Sequence, residues 1–254
     1  MPRCSSVQVR RVLRNYALFP RLQYYSNLRH CAIWRKIRSV TYRDSYGRTL
    51  EDYPRPSVAT DTAVLTVVDG RLSVLLVLTN DAMRGGEPEW RLPGTFLHRR
   101  ETLVDAVRRS LRVKAGVEGL EPQQLHVFDD PDRDDRGWVL SVAHYDVVRE
   151  ERLPQADRVR IVPVDLIPVL KYDHAKIVAF AVDALRAQYR RAPDPARLLD
   201  EPFTIRQLRH AHEAVANERL LPDTFRRSML LGLQPTGDLF SEGRGRPAEL
   251  YRRA

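Results

Sequence analysis

Ordered patterning along the chain begins after residue 60. Ala63-Val-Leu-Thr-Val-Val68 and Leu72-Ser-Val-Leu-Leu-Val-Leu78 are β-branched, apolar runs separated by Asp69-Gly70. That dipeptide supplies the positive φ angles of a tight turn, so the spacing predicts a β-hairpin. Residues 44–60, with Gly47, Pro54 and Pro56, show no periodicity and read as an extended lead-in; residues 80–90, with Gly85-Gly86 and Pro88, read as a loop leading into a short strand or turn at Trp90–Gly94. From Glu101 to Ala115 the apolar positions Leu103, Val107, Leu111 and Val113 or Ala115 fall near helical spacing, with Gly116 where a C-terminal cap belongs. Strands are predicted at Leu125–Phe128 and Trp138–Tyr145, on either side of the charged loop 129–137, and a further apolar run at Ile161–Leu166. A long helix follows, roughly Asp173 to Arg190, with Val178, Ala181 or Val182, Leu185 and Tyr189 on one stripe.

The last segment has a different texture. Thr204-Ile-Arg-Gln207 matches a capping box and opens a helix to about Ala216. After a short break, Asp223 is the expected N-cap of a second helix through Leu231, stopped by Gly232; two short helices so placed suggest a helix-turn-helix. Leu233–Phe240 and Ala248–Arg252 then flank a Gly/Arg turn, 243–247, as a two-stranded wing would. The organisation expected is a leader at 1–43, a larger domain at 44–190 that includes the long helix, a linker at 191–200 around Pro193 and Pro195, and a winged helix at 201–254.

Charge changes this picture less than the formal +9 suggests. Met1–Arg43 carries ten basic residues and no acidic one, which leaves the remainder near −1. This Arg-rich, acid-poor leader admits three readings: a basic nucleic-acid tail, a targeting segment, or sequence upstream of the true start codon. The abrupt change of composition near Val40 favours the last. Both cysteines, Cys4 and Cys31, also lie there, so the body has no thiol for a disulfide or metal site, and a cytoplasmic setting is expected.

The chemistry of the helix at 101–115 is read from what its face lacks. Gly94-Thr-Phe-Leu-His-Arg-Arg-Glu101, seven residues, then Arg109-Ser-Leu-Arg-Val-Lys-Ala-Gly116-Val117 resembles the Nudix box, whose helix face carries carboxylates that bind divalent ions and assist attack on a diphosphate. Gly94, Glu101, Arg109, Leu111, Gly116 and Val117 align, with one extra residue between Gly94 and Glu101. The carboxylate positions hold Ser110, Val113 and Lys114, and Glu101 stands next to Arg100. Catalysis and a bound metal are therefore not expected. Lys114 instead offers a point charge to a diphosphate, favouring binding without turnover. Leu92-Pro-Gly-Thr-Phe-Leu97 also resembles the entry to this motif.

With the segments 130–143, Tyr172-Asp-His-Ala-Lys-Ile177, Phe203-Thr-Ile-Arg-Gln-Leu208, Thr224–Ser228 and Gly243–Tyr251, the chain resembles the Nudix-related transcriptional regulators of NAD metabolism, the NrtR family, over about residues 55–254. The resemblance implies an α+β fold: a Nudix-like α/β/α sandwich followed by a winged helix-turn-helix. It implies a homodimeric repressor of NAD biosynthesis or salvage genes that binds a palindromic DNA operator, with ADP-ribose or a related NAD metabolite as effector and no cofactor. Candidate effector contacts are Arg91, Gly94, Phe96, Lys114, Arg133 and Arg136, the arginines because guanidinium pairs phosphate oxygens bidentately. If they do not meet a ligand, Arg133 and Arg136 should pair with Asp129, Asp130 or Asp132. His174 is read first as a packing residue at a helix start. Candidate DNA contacts are Thr224, Arg226 and Arg227 in the second helix and Arg244 and Arg246 in the wing turn. Two rival readings are an ADP-ribose or nucleotide pyrophosphatase and a module that recruits proteins through its tail; residues 201–254, with nine basic and seven acidic side chains, leave the latter open.

Overall fold

The structure is a computed structural model and describes residues 42–79, 88–241 and 247–254. Expectations that fall on the leader up to residue 41, on Gly85-Gly86 and on Arg244 and Arg246 lie outside the described residues. The described residues fall into two units, one ending at Pro54 and the other beginning at Arg55. In the first, a short 3-10 turn at Leu50–Asp52 is closed by a capping box between Thr49 and Asp52, a turn that the aperiodic lead-in did not announce.

The second unit begins with β1 (Ser57–Val68), joined through Asp69-Gly70 to β2 (Arg71–Thr79) with Val68 opposite Arg71. Asp69 and Gly70 both have positive φ, as the hairpin requires. Next come β3 (Glu89–Arg91), β4 (Gly94–Phe96), helix α1 (Leu103–Ser110), β5 (Gln123–Phe128), β6 (Val139–Val147), β7 (Val159–Pro163) and helix α2 (His174–Tyr189). Strands β3-β2-β1-β6-β5 lie side by side, with β4 paired to β1 and β7 to β2; β1 and β6 are parallel, the other pairs antiparallel. Alternation along the strands sends side chains to two cores. Val64, Leu75 and Val77 meet Val107, Leu111 and Ala115 of the first helical segment on one face, and Ala63, Leu65, Val74 and Leu76 meet Ile177, Val178, Ala181 and Leu185 of α2 on the other. A mixed sheet between helices is the α/β/α sandwich expected.

Two differences from the sequence expectation matter for the site. Strand β1 starts at Ser57, well before the apolar run at Ala63, because its first part lies between β4 and β6 with Thr60, Asp61 and Thr62 all buried. The predicted four-turn helix is α-helical only to Ser110 and continues as a π-helical turn, Leu111–Ala115, ended by Gly116 at φ 67°. This widened turn carries Val113 and Lys114.

The C-terminal part is α3 (Ile205–Ala216), α4 (Pro222–Met229) and a sheet in the order β8 (Phe203–Thr204), β10 (Ala248–Arg253), β9 (Leu233–Phe240). The capping box at Thr204 and Gln207 forms as read. The cap of α4 is Leu221 rather than Asp223, since Pro222, with fixed φ and no N–H, takes the first helical position. The wing has a third strand, the two-residue β8, which pairs with Tyr251 and Leu250. Segment 191–200 is not a loose tether: Asp194 within it is fully buried, and Arg253 at the end of β10 pairs with that carboxylate at 2.6 Å. Val215 of α3 joins the same core as α2, so the winged helix and sandwich pack directly.

Candidate functional site

The six candidate effector residues converge on one cleft of about 170 Å³, which Asp61, Thr79, Tyr172 and His174 also line. Its floor is Asp61 in β1. The carboxylate accepts from the Ser141 hydroxyl at 2.6 Å, and lies 3.3 Å from His174 Nε2 and 3.7 Å from Arg133 Nη2. Burial alone would raise its pKa; His174, Ser141 and Arg133 overcome that and hold it at about 2, so it is a carboxylate throughout the neutral range. His174 Nδ1 accepts from the Leu92 amide at 3.1 Å, which leaves the ring proton on Nε2, facing Asp61. Directly across the β1–β4 pairing, Gly94 stands opposite Asp61. A Cβ there would lie 1.8 Å from the Asp61 carboxylate oxygen and 3.0 Å from the Thr60 carbonyl, so this close approach needs glycine.

The cations differ in what they can offer a ligand. Arg133 lines the cleft, but its guanidinium, 3 % exposed, binds Asp173 through Nε and Nη2, the shorter contact being 2.6 Å. Its role in this geometry is to hold the floor and the start of α2. Arg136 pairs with Asp134 at 2.6 Å and keeps about a third of its side chain open. Its guanidinium lies 5.0 Å from both the Phe96 and the Tyr172 ring centres, a cation between two aromatic faces. The partners are thus Asp173 and Asp134, not the expected Asp129, Asp130 or Asp132: loop 129–137 folds back on itself and onto α2. Arg91 pairs with Glu89 and lies 5.4 Å from Tyr172.

Lys114 reaches the cleft from the π-helical turn and donates to the Gly94 carbonyl. The residue as a whole is exposed, yet it lines the cleft. Desolvation there, with the positive charges of Arg91, Arg109 and Arg136, lowers its pKa against the opposing pull of Asp61.

The residues of the Nudix-like helix do not fit a divalent ion. Ser110 is buried with its hydroxyl unpartnered, Val113 is 72 % exposed, and Lys114 brings a positive charge to the cleft. Glu101, the aligned carboxylate, is bonded to Arg109 at 2.7 and 2.8 Å and to the His98 amide at 2.8 Å. Arg109 and that amide hold its pKa at about 2, and Arg109, not the neighbouring Arg100, is its partner. Arg109 also donates to the Thr95 hydroxyl and the Phe96 carbonyl, so the pair braces the cleft wall. Among the described residues no three of His, Cys, Asp and Glu are grouped as metal ligands.

Asp61 and Tyr172 carry much of this geometry and were not singled out from the sequence. The available signal was an acid inside a β-branched strand, Thr60-Asp-Thr62, where an unpartnered charge would be prohibitively costly.

A second candidate surface lies on the winged helix. Phe225 and Met229, four residues apart on α4, face a core with Phe203, Leu208, Leu233 and Tyr251. This leaves Thr224, Arg226 and Arg227 exposed on the rest of the helix. Arg226 Nη2 lies 3.5 Å from the Tyr251 hydroxyl of β10, tying the helix to the wing.

Two family models match the chain: the NUDIX domain over residues 58–184 and the NrtR DNA-binding winged helix domain over residues 195–253. An ADPR responsive transcriptional repressor, NtrR, of Acinetobacter baylyi is 27% identical over 213 residues, covering 79% of this chain and 83% of that protein. The solved structure of Shewanella oneidensis NrtR complexed with a 27mer DNA is 30% identical with a TM-score of 0.62, covering 78% of this chain and 93% of that one. An ADP-ribose pyrophosphatase of Methanocaldococcus jannaschii is 32% identical over 130 residues, 50% of this chain and 73% of that protein.

Proposed function

This chain belongs to the NrtR family of Nudix-related transcriptional regulators, and from that premise we propose that it is an ADP-ribose-responsive repressor of genes for NAD synthesis or salvage. The observation that carries the effector assignment is the convergence of Arg91, Arg136 and Lys114 around a cleft floored by Asp61 and walled by Phe96 and Tyr172. Guanidinium and ammonium groups suit the two phosphates of a dinucleotide fragment, and aromatic faces suit its base or ribose. Binding without hydrolysis follows from a helix that places a lysine, a valine and a buried serine at the metal-ligand positions. The rival reading, a pyrophosphatase like the archaeal relative, requires carboxylates that this helix does not present.

The DNA assignment rests on the exposed face of α4. Thr224, Arg226 and Arg227 stand where a recognition helix meets base edges and phosphates. A homodimer on a palindromic operator doubles this modest footprint, and a cytoplasmic location accords with the role; no described helix is long and apolar enough to cross a membrane. A double change of Arg226 and Arg227 to alanine is expected to weaken operator binding at least tenfold and to flatten its salt dependence, measured by gel shift across a salt series. Unchanged affinity would remove α4 from the interface.

A further inference from the structure

The effector cleft does not end at Lys114. Thr79, Arg91, Lys114 and Arg136 stand in its wall and also in the wall of a second chamber of about 420 Å³, which Val77, Leu78, Val113 and Arg158 line as well. The first chamber sets two acids in its own lining, Asp61 and Asp134, against its four cations. The second has four cationic residues in its lining and, among the described residues, no acidic one. Arg91 and Arg136 have carboxylate partners, Glu89 and Asp134, whereas no ion pair among the described residues involves Arg158. Its backbone is held in place, since the Arg158 carbonyl accepts from the Leu78 amide at 2.9 Å.

A diphosphate at the shared wall would meet Arg91, Lys114 and Arg136 and leave Arg158 unmatched beyond it. We infer that the second chamber is an anion subsite for a phosphate ester on one ribose, so that the protein prefers a phosphorylated ADP-ribose to ADP-ribose itself; this rests on the ADP-ribose assignment above. Two negative charges beside an otherwise unpaired guanidinium supply a charge-assisted, bidentate contact that ADP-ribose lacks.

Calorimetry on the full chain with ADP-ribose, ADP-ribose 2′-phosphate and ADP-ribose 1″-phosphate tests this. One of the phosphorylated compounds is expected to bind about tenfold tighter than ADP-ribose, the order that one hydrogen-bonded pair of charges supplies, and Arg158→Ala is expected to bring that ratio to about one. Equal binding of all three compounds overturns the subsite and leaves the ADP-ribose assignment standing, as does a preference that survives Arg158→Ala. No binding of any of the three overturns both. Arg158 is exposed and outside both cores, and a thermal unfolding midpoint matching the parent chain verifies that the variant is folded.

Discussion

Replacing Asp194 by alanine is expected to destabilise the protein by about 3–5 kcal/mol, the cost of removing one partner from a buried, hydrogen-bonded ion pair. Asp194 is fully buried, and its carboxylate accepts from the Tyr189 hydroxyl at 2.7 Å, from the Leu198 and Leu199 amides at 2.9 Å and from Arg253 at 2.6 Å. Its own amide donates to His212 Nε2 at 3.3 Å. These partners come from the end of α2, the connecting segment, α3 and the last strand of the wing, so one side chain gathers sensor and DNA-binding parts. Alanine leaves two amides and a phenol without their acceptor, and leaves Arg253 with Glu201 as its remaining carboxylate partner. The thermal midpoint should fall by roughly 6–20 °C for a chain of this size, and any surviving fold should bind ADP-ribose with DNA affinity no longer responding to it. A midpoint within 2 °C or so of the parent would show that the junction draws its strength from the apolar contacts of Val215 instead.

The same junction gives stability a pH signature. Burial between the Tyr189 and Phe225 rings lowers the His212 pKa from 6.5 to about 4, and the neutral ring is the one that can accept from Asp194. The unfolded chain therefore binds more protons than the folded one between these values. Stability is expected to decline as pH falls from about 6.5 to about 4, by at most about 1.4 kcal/mol per pH unit from this group, and to be insensitive to it above 7. Denaturant titrations across that range check the slope, and His212→Phe should remove His212's share of it.

How much of this was legible beforehand depended on the range of the contact involved. The hairpin at Asp69-Gly70 and the cap at Thr204 were readable because their determinants lie within four residues. The stripe Val178, Leu185 and Tyr189 was readable because burial on one helix face imposes a period. Ser110, Val113 and Lys114 could be set against the Nudix box because their spacing on one helix is local as well. Asp61 was not, since its partners Arg133, Ser141 and His174 lie on three later segments and only the tertiary fold assembles them. Asp194 was hidden for the same reason, inside a Pro-rich stretch whose composition resembles a linker. For Arg133 residue type pointed to a phosphate contact, whereas the fold turns the guanidinium inward to Asp173.

Lys114→Glu, which returns a carboxylate to the position where the Nudix box has one, is expected to weaken ADP-ribose binding by about 100-fold or more, because a carboxylate faces the diphosphate where an ammonium stood. Lys114→Met should cost about tenfold or more, the loss of one charge-assisted contact. The parent protein should also take up a proton on binding. Desolvation and the cations Arg91, Arg109 and Arg136 lower the Lys114 pKa in the free protein, with Asp61 opposing them, and a bound diphosphate raises it. Below the free-state pKa affinity is therefore flat. Between the free and bound values it falls as pH rises, by at most tenfold per unit. A diphosphate esterified at both ends has no ionisation of its own near neutrality, so the proton belongs to the protein. Lys114→Arg tests the assignment: it keeps the positive charge at every accessible pH and should flatten the profile, whereas a slope owed to another group would persist. Calorimetry in two buffers of different ionisation heat reads the proton directly, and equal heats for the parent chain across the pH range would remove Lys114 from the site.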